Sequence, residues 1–215
     1  QKNIEEYLYS AMEDFALDLV VDSGINSKSM RLKLNKFTLI GATTRLGLLS
    51  APLRSRFVSL CRLDYYDASI IGKILRRTSS LLQIKADQSG LHEIAKRSRG
   101  TPRIANNLLR WARDYVQMHE SEKLDLNSAI KALQMLSIDE KGLDELDKKI
   151  LEVIIDHHRG GPVGIKALAV AVGEEPHTIE EVHEPFLVMQ GLIARTPRGR
   201  VATHIAYEHL GRKLS

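Results

Sequence analysis

The stretch Lys36–Phe57, KFTLIGATTRLGLLSAPLRSRF, restricts the architecture of the whole chain. Phe37, Thr38, Leu39 and Ile40 form an unbroken run of branched and aromatic side chains that stops at Gly41. A short apolar run without alternation reads as a strand buried on both faces of a parallel sheet. Polar groups crowd its C-terminal end: Thr43, Thr44 and Arg45. In open α/β sheets ligands sit outside the carboxyl ends of the strands, so these side chains are candidates for ligand contact. Pro52–Phe57 then sets Arg54 and Arg56 two residues apart, just before a second strand-like run, Val58–Leu63. Cys61 lies within that run, between Leu60 and Leu63, and is expected in the core.

Upstream, residues 1–14 read as a helix with Ile4, Leu8, Ala11 and Met12 along one face. The chain opens inside this helix without a cap, as expected of a sequence that starts partway through a domain. Leu17–Val21 and Met30–Leu34 are strand-like, and a polar turn from Asp22 to Ser29 makes them a β-hairpin. Met30 and Leu32 then share an apolar face that must pack on its own domain or on a partner.

Downstream, Asp67 is placed to cap a helix over 68–82, and a second helix spans about 89–98, with Gly100 in the C′ position. Pro102 starts a third helix to about Met118, and a short fourth follows Asp125. After a polar break at Ser137–Gly142 come three helices, the last over about 176–190. A two-stranded hairpin turning at Pro197-Arg198-Gly199 follows, which is the winged-helix pattern. The expected class is α/β plus α. Its parts are the end of a large α/β domain (1–64), a helical lid (65–137) and a winged-helix domain (138–215).

Charge within the last domain locates a nucleic-acid contact. Glu174, Glu175, Glu180, Glu181 and Glu184 load the helix that would enter a groove, so phosphates repel it. Arg195, Arg198 and Arg200 instead surround the wing turn, without aromatics, which suits backbone or minor-groove contact independent of sequence. The net charge of +4 decides little by itself. No apolar run reaches the roughly 18 residues of a membrane span, and a lone cysteine suits a reducing, cytoplasmic setting. His157-His158 has no companions at ligand spacing, so no metal site is expected.

Three motifs, in order, resemble the AAA+ ATPases, with wording similar to the RuvB family of bacterial Holliday-junction branch-migration motors. IGATTR with PLRSRF resembles that family's sensor 1 strand and arginine-finger segment. RGTPRIAN (Arg99–Asn106) resembles its sensor 2, and RTPRGR (Arg195–Arg200) its wing. The resemblance implies that Thr44, with Thr43 beside it, positions water near the γ-phosphate. It implies that Arg103 reports nucleotide state from the lid, and that Arg56, or Arg54 nearby, reaches the ATP of the neighbouring subunit. It further implies a homo-hexamer that hydrolyses ATP with Mg²⁺ and pulls duplex DNA past a Holliday junction. RuvA would bind through Met30 and Leu32 and hold the junction, and RuvC would resolve it. The departure from the family is plain: no G-x-x-x-x-G-K-[ST] is present, and Asp139-Glu140 follows a helix at a domain boundary. The chain alone is therefore expected to be inactive. A non-enzymatic winged-helix regulator, or a non-functional remnant, is the alternative reading.

Overall fold

The computed structural model describes residues 2–20, 29–119 and 122–213, and the chain divides into two compact units, 1–63 and 64–215. In the first, α1 (Lys2–Asp14) leads into an antiparallel hairpin of β1 (Ala16–Val20) and β2 (Ser29–Lys33). Leu17 faces Leu32 and Leu19 faces Met30. Alternation puts these four on one side of the ribbon and Asp18 and Arg31 on the other. Arg31 bonds Asp14 at 2.7 Å. The expected turn, Asp22 to Ser29, lies outside the described residues except for Ser29, which opens β2. Phe15 meets Phe37 edge-on at 5.7 Å, and Ser50 caps α2 (Ala51–Arg56) by accepting from the Leu53 amide at 3.3 Å.

Two expectations fail here. Neither Phe37–Ile40 nor Val58–Leu63 is a strand, and their side chains face solvent: Ile40 is 88%, Val58 105% and Leu63 90% exposed. Cys61, expected in the core, is exposed as well. The reason lies in backbone hydrogen bonding. A strand of a parallel sheet closes its ladder only against neighbours, and the described residues contain only two-stranded antiparallel sheets whose strands pair with each other.

The second unit closes two cores. Its first part holds α3 (Ala68–Leu81), α4 (Gln88–Arg97), α5 (Pro102–Met118) and α6 (Leu126–Met135). Asp67 and Asp125 cap α3 and α6, accepting from the Ile70 and Ser128 amides at 2.9 and 2.8 Å. Ile71, Leu75, Ile94, Leu109, Leu124 and Leu133 are completely buried among these helices. Each such side chain contributes about 1.5–3 kcal/mol of transfer free energy. One cap differs from expectation. Ser98 ends α4, and Arg99 (φ 55°) takes the first left-handed position, with Gly100 (φ 63°) following it.

The second part holds α7 (Glu145–Glu152), prolonged by a π-helical turn at Val153–His157, and α8 (Ile165–Val172). The helix expected from Pro176 is one continuous helical path of three pieces: α9 (Pro176–Thr178), a π turn (Ile179–His183) and α10 (Glu184–Met189). β3 (Ile193–Thr196) and β4 (Gly199–Ala202) form the wing, and α11 (His204–His209) follows. Val163 exchanges both backbone hydrogen bonds with Arg200, at 2.9 and 2.8 Å, adding a third short edge. Gly199 (φ 138°) sits where a Cβ would strike the Val163 carbonyl, so the wing turn demands glycine there. Among the described residues no helix is long and apolar enough to cross a membrane.

Candidate nucleotide-sensing residues and nucleic-acid interface

The first unit carries Thr43, Thr44, Arg54 and Arg56. Thr43 accepts from the Arg45 amide at 3.0 Å, a local turn that leaves Thr44 exposed. Arg54 and Arg56 lie in the last turn of α2, but in different surroundings. Arg54 is exposed. Arg56 folds back on α1: it bonds Glu13 at 2.9 Å, donates to the Pro52 carbonyl at 2.9 Å, and stacks 4.3 Å above the Tyr9 ring. A planar, delocalised cation suits such stacking and also suits a transferring phosphoryl group. These side chains do not amount to an ATP–Mg²⁺ site. They offer hydroxyl and guanidinium groups, but no phosphate cradle and no carboxylate pair.

Arg103 belongs to the second unit, exposed in the first turn of α5 just behind Pro102. Other basic side chains of α4 and α5 are held by acceptors. Arg97 is buried against Glu93 (2.6 Å) and the Ile138 carbonyl (3.0 Å), while Lys96 and Arg113 lie beside Glu93 and Asp114. Tyr65 and Tyr66, which the sequence reading passed over, are exposed and line a cleft of about 330 Å³ with Arg99 and Phe186.

The three wing arginines are not equivalent. Arg195 and Arg200 converge on Glu184, which is 1% exposed. Arg200 also bonds Glu180 at 2.8 Å, and its side chain is only 13% exposed. Burial pushes the Glu184 carboxyl up, but the hydrogen bonds from Arg195 and Arg200 outweigh it and hold it below its ordinary value. Glu184 is therefore no part of the acidic surface it was expected to build. Arg198 stands exposed at the tip, where Thr196 accepts from its amide at 3.3 Å. Wing charge splits into a buried anchor and a free tip.

A second buried network joins the two parts of this unit. Asp144 and Asp147 form a reciprocal capping box at the start of α7, with bonds of 2.9 and 3.1 Å. Asp147, 0% exposed, also bonds Arg99 at 2.6 Å and His183 at 2.7 Å. Arg99 reaches Asp144 at 2.9 Å and the Gly142 carbonyl at 2.9 Å, and its guanidinium lies 4.6 Å from the Phe186 ring centre. Burial opposes charge on His183, but its hydrogen bond to Asp147 and the charges of both aspartates prevail, so its pKa is raised. Asp144, Asp147 and His183 have the donor types and proximity of a metal site. Arg99 already occupies the cation's place, with its guanidinium on both carboxylates. The capping box was legible from an Asp-x-x-Asp spacing; the reach from Arg99 to Asp147 had no local signal.

A helical lid joined to a winged helix, following a segment with a hydroxyl-rich turn and paired arginines, is the domain order of an AAA+ family. Residues 1–63 match the family model of the Holliday junction DNA helicase RuvB P-loop domain, 66–139 that of the RuvB AAA lid domain, and 140–211 that of the RuvB C-terminal winged helix domain. The chain belongs to the RuvB family. It is 63% identical over 209 residues to the Holliday junction branch migration complex subunit RuvB of Protochlamydia amoebophila, covering 97% of this chain. It is 57% identical over 211 residues to that of Chlamydia pneumoniae, covering 98% of this chain. The Thermotoga maritima RuvB Holliday junction branch migration motor superposes with a TM-score of 0.82 at 44% identity, covering 100% of this chain and 67% of that one. A variant of the same Thermotoga protein gives 0.85 at 44% identity, covering 100% of this chain and 68% of that one. The chain spans about 63% of the length of the curated relatives it matches.

Proposed function

We propose that this chain is the C-terminal part of an ATP-driven motor subunit that moves duplex DNA to drive Holliday-junction branch migration. The observation that carries the reading is a helical lid bonded directly to a winged helix, behind a segment of a P-loop domain, all within one family's order. The domains are 1–64, 65–137 and 138–215, and the subunit works as a cytoplasmic homo-hexamer. Thr44 and Thr43 serve as sensor 1, Arg103 as sensor 2, and Arg56 as the finger acting on a neighbour's ATP, with Arg54 as the alternative. ATP and Mg²⁺ are held by a P-loop domain in the complete protein. This chain by itself lacks the phosphate-binding groups and does not hydrolyse ATP.

Duplex DNA is met by the wing. Arg198 leads because its guanidinium is exposed, Arg195 keeps half its side chain in solvent, and Arg200 sets the wing's angle through Glu184. Met30 and Leu32, 52% and 45% exposed on the apolar face of the hairpin, are the docking side chains for RuvA. RuvC acts on the same junction.

The test uses a complete subunit carrying the P-loop domain. Arg56→Ala abolishes hydrolysis and leaves nucleotide binding intact, and mixing it with a P-loop variant restores part of the activity in mixed rings. Mixed rings that never recover activity, with Arg54→Ala rings that do, transfer the role to Arg54. Recovery in neither sinks the trans finger.

A further inference from the structure

Arg99 has a placement that its neighbours do not explain. It is a bulky residue in the left-handed region, at a helix end where glycine is the ordinary choice, and a glycine follows it directly. Gly100 is itself left-handed and closed to a side chain, since a Cβ there would lie 2.6 Å from the Tyr66 carbonyl oxygen, so the strain at position 99 is borne by an arginine, which points to a role for that side chain. That side chain leaves the turn between α4 and α5, four residues before Arg103, and ends in the capping box of α7. At the same junction Arg97 bonds the Ile138 carbonyl, and Gly142 (φ 83°) packs so close to Arg97 that a Cβ would lie 2.7 Å from its carbonyl oxygen. His209 holds Asp139 at 2.7 Å from the far side. The connection between lid and winged helix is thus pinned along its length.

We infer that Arg99 is a positioning residue that makes the lid and the winged helix move as one lever, passing lid rotation to the wing. The inference rests on the motor reading proposed above. A buried ionic group is poor at adding net stability, because desolvation offsets the attraction, but it is strict about geometry: each partner must sit within hydrogen-bond reach or be left charged and dry. The groups facing one another here are the Arg99 guanidinium, the His183 ring and the Asp144 and Asp147 carboxylates, and each finds its polar partners only when all four are assembled. Sliding the winged helix by a few ångströms breaks that balance, so intermediate positions are disfavoured. Arg103, at the start of the helix that Arg99 precedes, moves on the same rigid piece. The lever therefore starts beside the nucleotide sensor and ends at Arg198.

The test pairs a structural measurement with a functional one. Arg99→Met combined with Asp147→Asn removes the clamp without leaving a buried unpaired charge. In a Cys61→Ser background, spin labels at Asn107→Cys and Glu208→Cys report the distance from lid to winged helix. The clamp predicts one narrow distance in the parent and a broad distribution in the double variant, with helical content retained. In the complete subunit, ATP consumed per base pair migrated rises by roughly tenfold in the double variant. Arg99→Lys, which keeps the charge but loses the fork, falls between the two and guards against a variant that does not fold. An unchanged distance distribution in a folded double variant overturns the clamp. A broadened distribution with an unchanged ATP ratio overturns the transmission. A parent subunit that hydrolyses no ATP and migrates no junction sinks the motor reading instead, and the distance measurement then judges the clamp alone.

Discussion

Residues 37–63 and residues 143–187 contain apolar runs of similar composition, yet their fates differ. Ile40, Val58 and Leu63 are almost wholly in solvent, whereas Leu143, Ile150, Leu151 and Ile154 are 0% exposed. The difference is one of partners. Helices satisfy their own backbones and need only a facing stripe, which α7, α8 and α10 give one another within a few dozen residues. A buried strand needs neighbours for both its backbone and its faces. An apolar run thus carries the demand for burial, and the rest of the fold decides whether it is met.

The largest effect expected from this contrast is on stability. Leu151→Ala should cost about 3 kcal/mol in the chain as it stands, while Val58→Ala should fall within about 0.5 kcal/mol of the parent. Urea unfolding midpoints measure both, and equal losses would erase the contrast between the units. A complete subunit sharpens it: if Val58 then becomes a strand residue, its truncation should turn costly by about 1 kcal/mol or more.

The hairpin tests an apolar surface of the first unit that is organised without being buried. Met30→Glu with Leu32→Glu should leave the melting temperature unchanged and weaken RuvA binding by about 2 kcal/mol, read by titration calorimetry. Unfolding of the double variant would make these side chains core residues of the complete domain.

Titration separates the units in another way. The His183 pKa is raised above its ordinary 6.5, so the stability it contributes is complete below that value and is lost as pH rises through the folded value. Asp144 and Glu184, held below their ordinary values despite burial, act oppositely and lose their contribution as pH falls. Hydrogen exchange measured between about pH 6 and pH 8.5 should show α7 and α10 loosening with rising pH after correction for intrinsic rates. His183→Gln should flatten that trend. A trend of equal size in α1 would refute its assignment to the buried cluster.

The smallest effect concerns the tip. Arg198→Ala should leave stability within about 0.5 kcal/mol and lower the slope of log affinity against log salt by about 0.9 per engaged subunit. Fluorescence anisotropy on two duplexes of unrelated sequence reads this out. Arg200→Ala should behave differently, destabilising the winged helix because Glu184 is left buried with one partner fewer. Equal behaviour of the two variants would mean that the split between anchor and tip has no consequence.

Much was already settled by local chemistry. Asp67, Asp125 and Pro102 mark helix starts because capping depends on residues three apart or fewer, and the wing turn follows from Pro197 to Gly199 for the same reason. Three motifs in order carried the family. Tertiary structure alone decided which charges are available. Arg99, Arg195 and Arg200 are each claimed by a carboxylate, at separations from 11 residues to 48. Among the described residues, Phe37–Ile40 and Val58–Leu63 pair with no strand. Pairing across such distances leaves no periodicity in a sequence, because the partners are set by how helices and strands pack, not by their spacing along the backbone.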